Sequence, residues 1–248
     1  MTVTPLRLLS CNIQAGNSTG AYREYVTRGW SHLLPNGKQR NLDAIAQLAS
    51  AFDIVGLQES DPGSLRSGFH NQTQVLAERG GFPFWSHQPN RQVSRLAGSA
   101  NGLLARAVPT AVFDYPLPGR IAGRGVMLAR FGEGERSWCL AITHLSLGVA
   151  SRRQQIGFLA ELLSDHPRAV LMGDFNCPAN AAEVEALYRN TALMPPPTPI
   201  LTFPSWAPKR SLDHVFTAGL RVSDYRAVAA AGSDHLAVAL SLHDPLDD

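Results

Sequence analysis

Apolar residues in this chain gather in short runs. Leu6–Ile13, Asp53–Gln58, Asn101–Arg106, Arg124–Arg130, Ser137–Thr143, Ala169–Met172, Asp213–Thr217 and Leu236–Leu242 each read as a strand of a sheet covered on one or both faces. Helical spacing falls between them. Leu42, Ile45, Ala46 and Ala49 share one helix face that ends before Phe52-Asp53. Ile156, Leu159, Ala160 and Leu163 repeat that spacing after Ser151, a predicted N-cap. Asn180 with Glu183 resembles a capping box that opens a helix over Ala181–Arg189. Strands outnumber helices, and no strict βαβ rhythm is visible. The pattern therefore predicts an α/β chain of two sheets packed face to face with helices outside. No internal repeat appears, and the Pro-rich stretch Met194–Pro199 is too short to divide the chain. Residues 1–248 are expected to form one domain.

Composition narrows the class. At 248 residues, 44% hydrophobic and 17% charged, the chain can bury a sizeable core and is not disordered. No stretch approaches the ~20 apolar residues of a membrane span. The first residues lack a basic segment followed by a long apolar run, so the expected location is cytoplasmic, with no stable membrane insertion. Twenty-two basic against 20 acidic residues is too balanced to announce a nucleic-acid surface. Cys11, Cys139 and Cys177 are odd in number and widely spaced, as expected of reduced core residues rather than a disulfide framework.

Polar residues at the ends of the apolar runs carry the chemistry. Val170–Asn176 runs into Gly173 and then sets Asp174 and Asn176 two positions apart, on one face if the chain stays extended. Asp234 and His235 precede a strand and offer a carboxylate for a cation beside an imidazole that titrates near neutrality. Asp213 opens another strand, where a carboxylate can hold a histidine in one tautomer. Glu59 closes the run Ile54–Gln58 and suits a hard cation such as Mg²⁺. Asn12 is an amide embedded in an apolar strand and so requires a partner. His144 ends the strand before Leu145.

These residues, in this order, resemble the endonuclease/exonuclease/phosphatase superfamily, which includes DNase I-like nucleases, neutral sphingomyelinases and inositol-phosphate phosphatases. The resemblance runs from Asn12 to the strand after His235, with Gly-Asp-Phe-Asn and Ser-Asp-His as its most specific motifs. It implies a four-layered α-β-β-α sandwich with the site at one end of two mixed sheets. It also implies that Asn12, Glu59 and Asp234 hold a divalent cation, Mg²⁺ or Mn²⁺ in its place. Asp174 and Asn176 would orient water and phosphate, while His144, Asp213 and His235 complete the catalytic set. Asn101, in Ser-Ala-Asn-Gly-Leu-Leu, matches a motif near the phosphate. The implied chemistry is attack of water on a phosphorus ester, with either Asp174 or the Asp213–His235 pair taking the proton.

The expected partner is a phosphodiester, either nucleic acid or a phospholipid head group. Alternatives are a phosphomonoester substrate or a catalytically silent binding module; no protein partner is implied. Arg91, Arg95, Arg120, Arg124, Arg152 and Arg153 are candidate phosphate contacts. Two segments are expected to shape specificity. One is Ala15–Lys38, with Tyr22, Tyr25 and Trp30. The other is Thr202–Arg210, whose Trp206 would meet either a substrate group or the core.

Overall fold

In the computed structural model, which describes residues 4–14, 35–64, 67, 69–93, 97–120 and 122–247, successive side chains of the central strands enter different cores. The elements are β1 (Leu6–Asn12), α1 (Pro35–Ser50), β2 (Ile54–Ser60), α2 (Gln72–Gly80), β3 (Phe84–Val93), β4 (Ala97–Ala105), β5 (Ala111–Pro116) and β6 (Gly125–Phe131). They continue with β7 (Trp138–His144), α3 (Val149–Leu163), β8 (Ala169–Asp174), α4 (Glu185–Asn190), β9 (Asp213–Ala218), β10 (Arg221–Ala229) and β11 (Leu236–His243). One sheet has the order β10-β11-β1-β2-β4-β3 and the other β5-β6-β7-β8-β9. Both are mixed: β1 and β2 are parallel, as are β7 and β8, and the remaining pairs are antiparallel.

The alternation explains why these runs are apolar at almost every position. Leu8, Ile54, Leu103, Met127, Leu140, Val170 and Leu240 fill the space between the sheets. Their neighbours Leu9, Val55 and Leu104 turn outward to meet Ile45, Ala46 and Ala49 of α1 and Leu76 and Ala77 of α2. On the other side Leu128, Ala141, Leu171 and Phe216 meet Ile156, Leu159 and Leu163 of α3. Three cores thus separate four layers, helices–sheet–sheet–helices. Each fully buried Leu or Phe contributes roughly 1.5–3 kcal/mol.

The strands absent from the sequence reading, β3, β5 and β10, all lie at sheet edges. β5 and β10 keep a polar, half-exposed pattern and so lack an apolar run, whereas the edge strand β9 is buried throughout and does show one. Helix starts also differ. Ser151 lies inside α3, which begins at Val149 after Gly148. The capping box at Asn180 does not form, because the Glu183 carboxylate accepts from Arg152 and α4 starts only at Glu185. Among the described residues no helix is long and apolar enough to cross a membrane.

Candidate active site

Strand direction gathers the polar residues. The C-terminal ends of β1, β2, β7 and β8 carry Asn12, Glu59, His144 and Asp174. Because β9 and β11 run antiparallel to β8 and β1, it is their N-terminal ends that deliver Asp213 and His235 to the same place. Register sets His144 beside Asp174, and Asp174 beside Asp213.

Backbone irregularities aim these side chains. Gly173 has φ 146°, and a Cβ there would run into the Thr143 carbonyl oxygen, so only glycine lets β8 lie this close to β7. Glu59 has φ 56° within a bulge where the β2–β4 register shifts between Leu57 and Ser60. Bulges of this kind redirect a side chain beside a site. Gln14 (φ 42°) and Asn176 (φ 54°) are left-handed as well. Asn176 therefore does not continue an extended face with Asp174. Phe175 is fully buried in the outer core, and the chain turns so that the Asn176 N–H donates to Asp174 Oδ1 at 2.9 Å. The Asn176 amide donates instead to the Leu145 carbonyl at 3.0 Å.

Asp174 is the hub. Its Oδ2 accepts from Asn12 Nδ2 at 3.1 Å and lies 3.4 Å from His144 Nε2 and 3.9 Å from His235 Nε2. On its far side the His235 ring bonds Asp213 Oδ2 through Nδ1 at 2.8 Å. Asp234 Oδ1 is 3.9 Å from His235 Nε2, and Glu59 Oε1 is 3.9 Å from His144 Nδ1. His144 Nδ1 is buried without a hydrogen-bond partner.

Burial and crowding set the charges. Burial, then the Asp213 charge, pushes the Asp174 carboxyl upward, against the opposing pull of His235. Glu59 is raised by burial and by Asp234, although Arg124 and His235 act the other way. Burial raises Asp234 too. Burial alone would lower His235, but the hydrogen bond to Asp213 and the charges of Asp213, Asp174 and Asp234 lift it to about 10, favouring imidazolium. His144 is driven well below the ordinary histidine value by burial, then by the charges of Arg124 and His235, so it is neutral.

Crowded carboxylates raised by burial and by one another suit a divalent cation, which relieves their repulsion. The oxygen donors Glu59 and Asp234 match a hard ion such as Mg²⁺ or Mn²⁺. Asp174, Asp213 and His235 also bring one ligand atom each within 4.8 Å of one another. In that cluster the Asp213 oxygen is already engaged by His235 Nδ1, which favours acid–base work there. The Asn12 oxygen accepts from the Gln14 N–H at 3.0 Å, leaving one lone pair for an ion.

Asn101 is fully buried. Its amide N–H groups donate to Gln88, the Gly125 carbonyl and the Ile142 carbonyl, tying β4 to the opposite sheet, while its Oδ1 has no hydrogen-bond partner. Trp206 is 61% exposed and so is not a core pin. Its neighbour Ser205 donates through N–H to the Asp234 carbonyl at 2.7 Å, which sets this loop against the Asp-His turn. Phe203 lies 5.0 Å from the His235 ring.

Among the arginines, Arg152 is buried against Glu183 at 2.8 Å rather than facing a phosphate. Arg120 and Arg153 are exposed, and the charge of Arg124 reaches both Glu59 and His144. Arg95, Tyr22, Tyr25 and Trp30 lie outside the described residues. The sequence reading also passed over Gln14 and Ser233, which contact site residues, and considered Phe203 only as a pin of its loop to the core. Ser233 and Phe203 stood inside quoted motifs, but only hydrogen bonding between segments distant in sequence marks their contacts.

Two mixed sheets packed face to face between helices, with polar residues gathered at one end, define a DNase I-like sandwich. The sequence matches the model of the Endonuclease/Exonuclease/phosphatase family over residues 9–235, and the chain belongs to this family, whose members are phosphoesterases. No curated protein matches it significantly. Similar solved structures include an endonuclease/exonuclease/phosphatase from Beutenbergia cavernae (19% identity, TM-score 0.71, covering 97% of this chain and 72% of that one). A mannosyl-6-phosphatase from Bacteroides thetaiotaomicron is similar at 18% identity and TM-score 0.68, over 96% and 99% of the two chains. The human Nocturnin catalytic domain with bound sulfate is similar at 18% identity and TM-score 0.70, over 96% and 94%.

Proposed function

We infer that this chain is a divalent-metal-dependent phosphodiesterase and that residues 1–248 act as one catalytic domain. The observation that carries the reading is the convergence on Asp174 of two histidines and an amide drawn from both sheets. Glu59 and Asp234, with Asn12, would hold Mg²⁺ or Mn²⁺; when bound, the ion supplies charge neutralisation at the phosphoryl group.

The chain's own residues divide the remaining work. His235, held by Asp213 and favoured as imidazolium, donates from Nε2 to a phosphate oxygen. A nitrogen already carrying its proton is a poor base, so Asp174, whose carboxyl is raised by burial, takes the proton from water. Asn176 is anchored through Leu145 and orients the phosphate. Neutral His144 donates from Nε2 to Asp174 and fixes its oxygen.

Phe203 beside His235 and exposed Trp206 supply a wall for a group esterified to phosphorus, which we read as one arm of a diester. That group is a nucleoside or a lipid head group. The mannosyl-6-phosphatase neighbour acts on a monoester by its name, so monoesters belong in the test. Three free buried cysteines fit a reducing, cytoplasmic setting.

The experiment is hydrolysis of a bis-aryl phosphodiester, an aryl phosphomonoester, plasmid DNA and sphingomyelin with Mg²⁺ or Mn²⁺, with Asp174→Asn as control. Metal-dependent diester cleavage lost in the variant supports the reading. A folded protein inert on every ester with either ion points to a binding module.

A further inference from the structure

Gln14 stands just past β1 and belongs to no assigned role, yet it touches two of the residues expected to hold the ion. Its N–H donates to Asn12 Oδ1 at 3.0 Å, and its side-chain oxygen accepts from the Asp234 N–H at 3.1 Å. Beside it, Ser233 Oγ donates to the Asn12 carbonyl at 2.6 Å and accepts from the His235 N–H at 3.0 Å. The end of β1 and the Asp234–His235 turn are thus joined by hydrogen bonds across 220 positions of sequence. The residue achieves this from a left-handed backbone, φ 42°, which glycine adopts freely and glutamine does not. A strained non-glycine residue persists where its side chain is needed.

We propose that Gln14 is a positioning residue for the phosphoesterase centre. Its carboxamide fixes the Asp234 backbone while its N–H turns the Asn12 amide, so that Asn12 and Asp234 are held at one spacing. The proposal rests on the metal-dependent reading above. It assigns Gln14 no contact with substrate.

Glycine at this position separates positioning from stability, because it relaxes the backbone while deleting the acceptor. Gln14→Gly is expected to weaken Mn²⁺ binding, measured by calorimetry, about tenfold, since the Asp234 N–H loses its partner. It should lower kcat on a bis-aryl phosphodiester by about tenfold or more, leave KM within about twofold, and leave Tm no lower. Gln14→Glu keeps an oxygen acceptor and should restore Mn²⁺ binding and kcat to near wild type. Should the glycine variant not fold, Gln14→Met carries the same comparison.

Wild-type Mn²⁺ binding and kcat in Gln14→Gly would overturn the proposal. So would a Gln14→Glu variant as impaired as Gln14→Gly. A wild-type protein that binds Mn²⁺ but cleaves no ester would defeat the functional reading alone, and Mn²⁺ binding would still report on Gln14.

Discussion

Asp213 Oδ2 and His235 Nδ1 lie 2.8 Å apart, although one opens a strand of the five-stranded sheet and the other precedes a strand of the six-stranded sheet. With the Nδ1 proton committed to Asp213, His235 Nε2 points at Asp174 and Asp234. An amide in place of Asp213 keeps the shape but removes the hydrogen-bonded charge that favours imidazolium, which leaves His235 less able to donate from Nε2. Asp213→Asn is expected to reduce kcat by at least about tenfold, the scale of losing a hydrogen bond to a charged group. Steady-state kinetics with a Tm measurement check this; a small loss of kcat would rule out the orienting role.

Glu59 projects from a bulge into a crowded group of carboxylates and is raised by burial. Glu59→Gln removes a charge at constant shape. Divalent-ion affinity should fall by at least the roughly 10–100-fold typical of residues that merely support metal ligands. Tm without metal should hold or rise, because repulsion is relieved. A Mg²⁺ titration of activity indistinguishable from wild type would remove Glu59 from the ion site.

Trp206 is exposed on a loop bonded to the Asp234 turn, so it borders the site without supporting the core. Trp206→Ala should leave Tm unchanged. It should reduce kcat/KM on the natural substrate about ten- to a hundred-fold, if a base stacks on the ring, with less effect on a small aryl phosphodiester. Equal losses on both substrates would show that the ring reads nothing beyond the phosphate.

Arg152 and Glu183 form a buried ion pair behind the loop that follows His144, with Arg152 also donating to the Ser146 and Leu147 carbonyls. Burial alone would raise the Glu183 carboxyl. The Arg152 hydrogen bonds and the charges of Arg152 and Arg153 overcome that and hold it below the ordinary 4.5. A carboxyl depressed in the folded state stabilises the fold above its unfolded pKa and loses that contribution as pH falls through its folded value. Wild-type Tm should therefore drop more steeply below pH 4.5 than that of Glu183→Gln. At pH 7 the variant should be less stable by about 3–5 kcal/mol, the cost of an uncompensated buried arginine. Parallel acid limbs in calorimetry would contradict the assignment.

The legible parts of the fold were those buried on both sides. Leu8–Cys11 and Val170–Met172 are apolar at nearly every position because alternate residues enter two cores, and such runs stand out in any sequence. β5 and β10 were silent because an exposed edge strand shares its composition with loops, while the buried edge strand β9 was legible. The polar residues at strand ends were legible for a related reason: Asp174 and His144 interrupt apolar runs. Gln14 and Phe203 lie outside the named strands and helices, where polar and aromatic residues are ordinary, and their contacts come from segments far away in the chain. Arg152 shows the converse, a charged residue that looked available and is consumed by a carboxylate 31 positions away.

The seam between the two sheets runs through the middle of the site, with Asn12, Glu59, Asp234 and His235 on one bank and His144, Asp174 and Asp213 on the other. Neither bank alone holds a complete set of groups. On the catalytic reading proposed above, a fluctuation that parts the sheets by a few ångströms, without melting a single strand, would therefore silence the protein. Turnover becomes a gauge of that parting. Under mild denaturant, inactivation would precede the loss of secondary structure, and amide protons near Asp213 would exchange before those deep in β7.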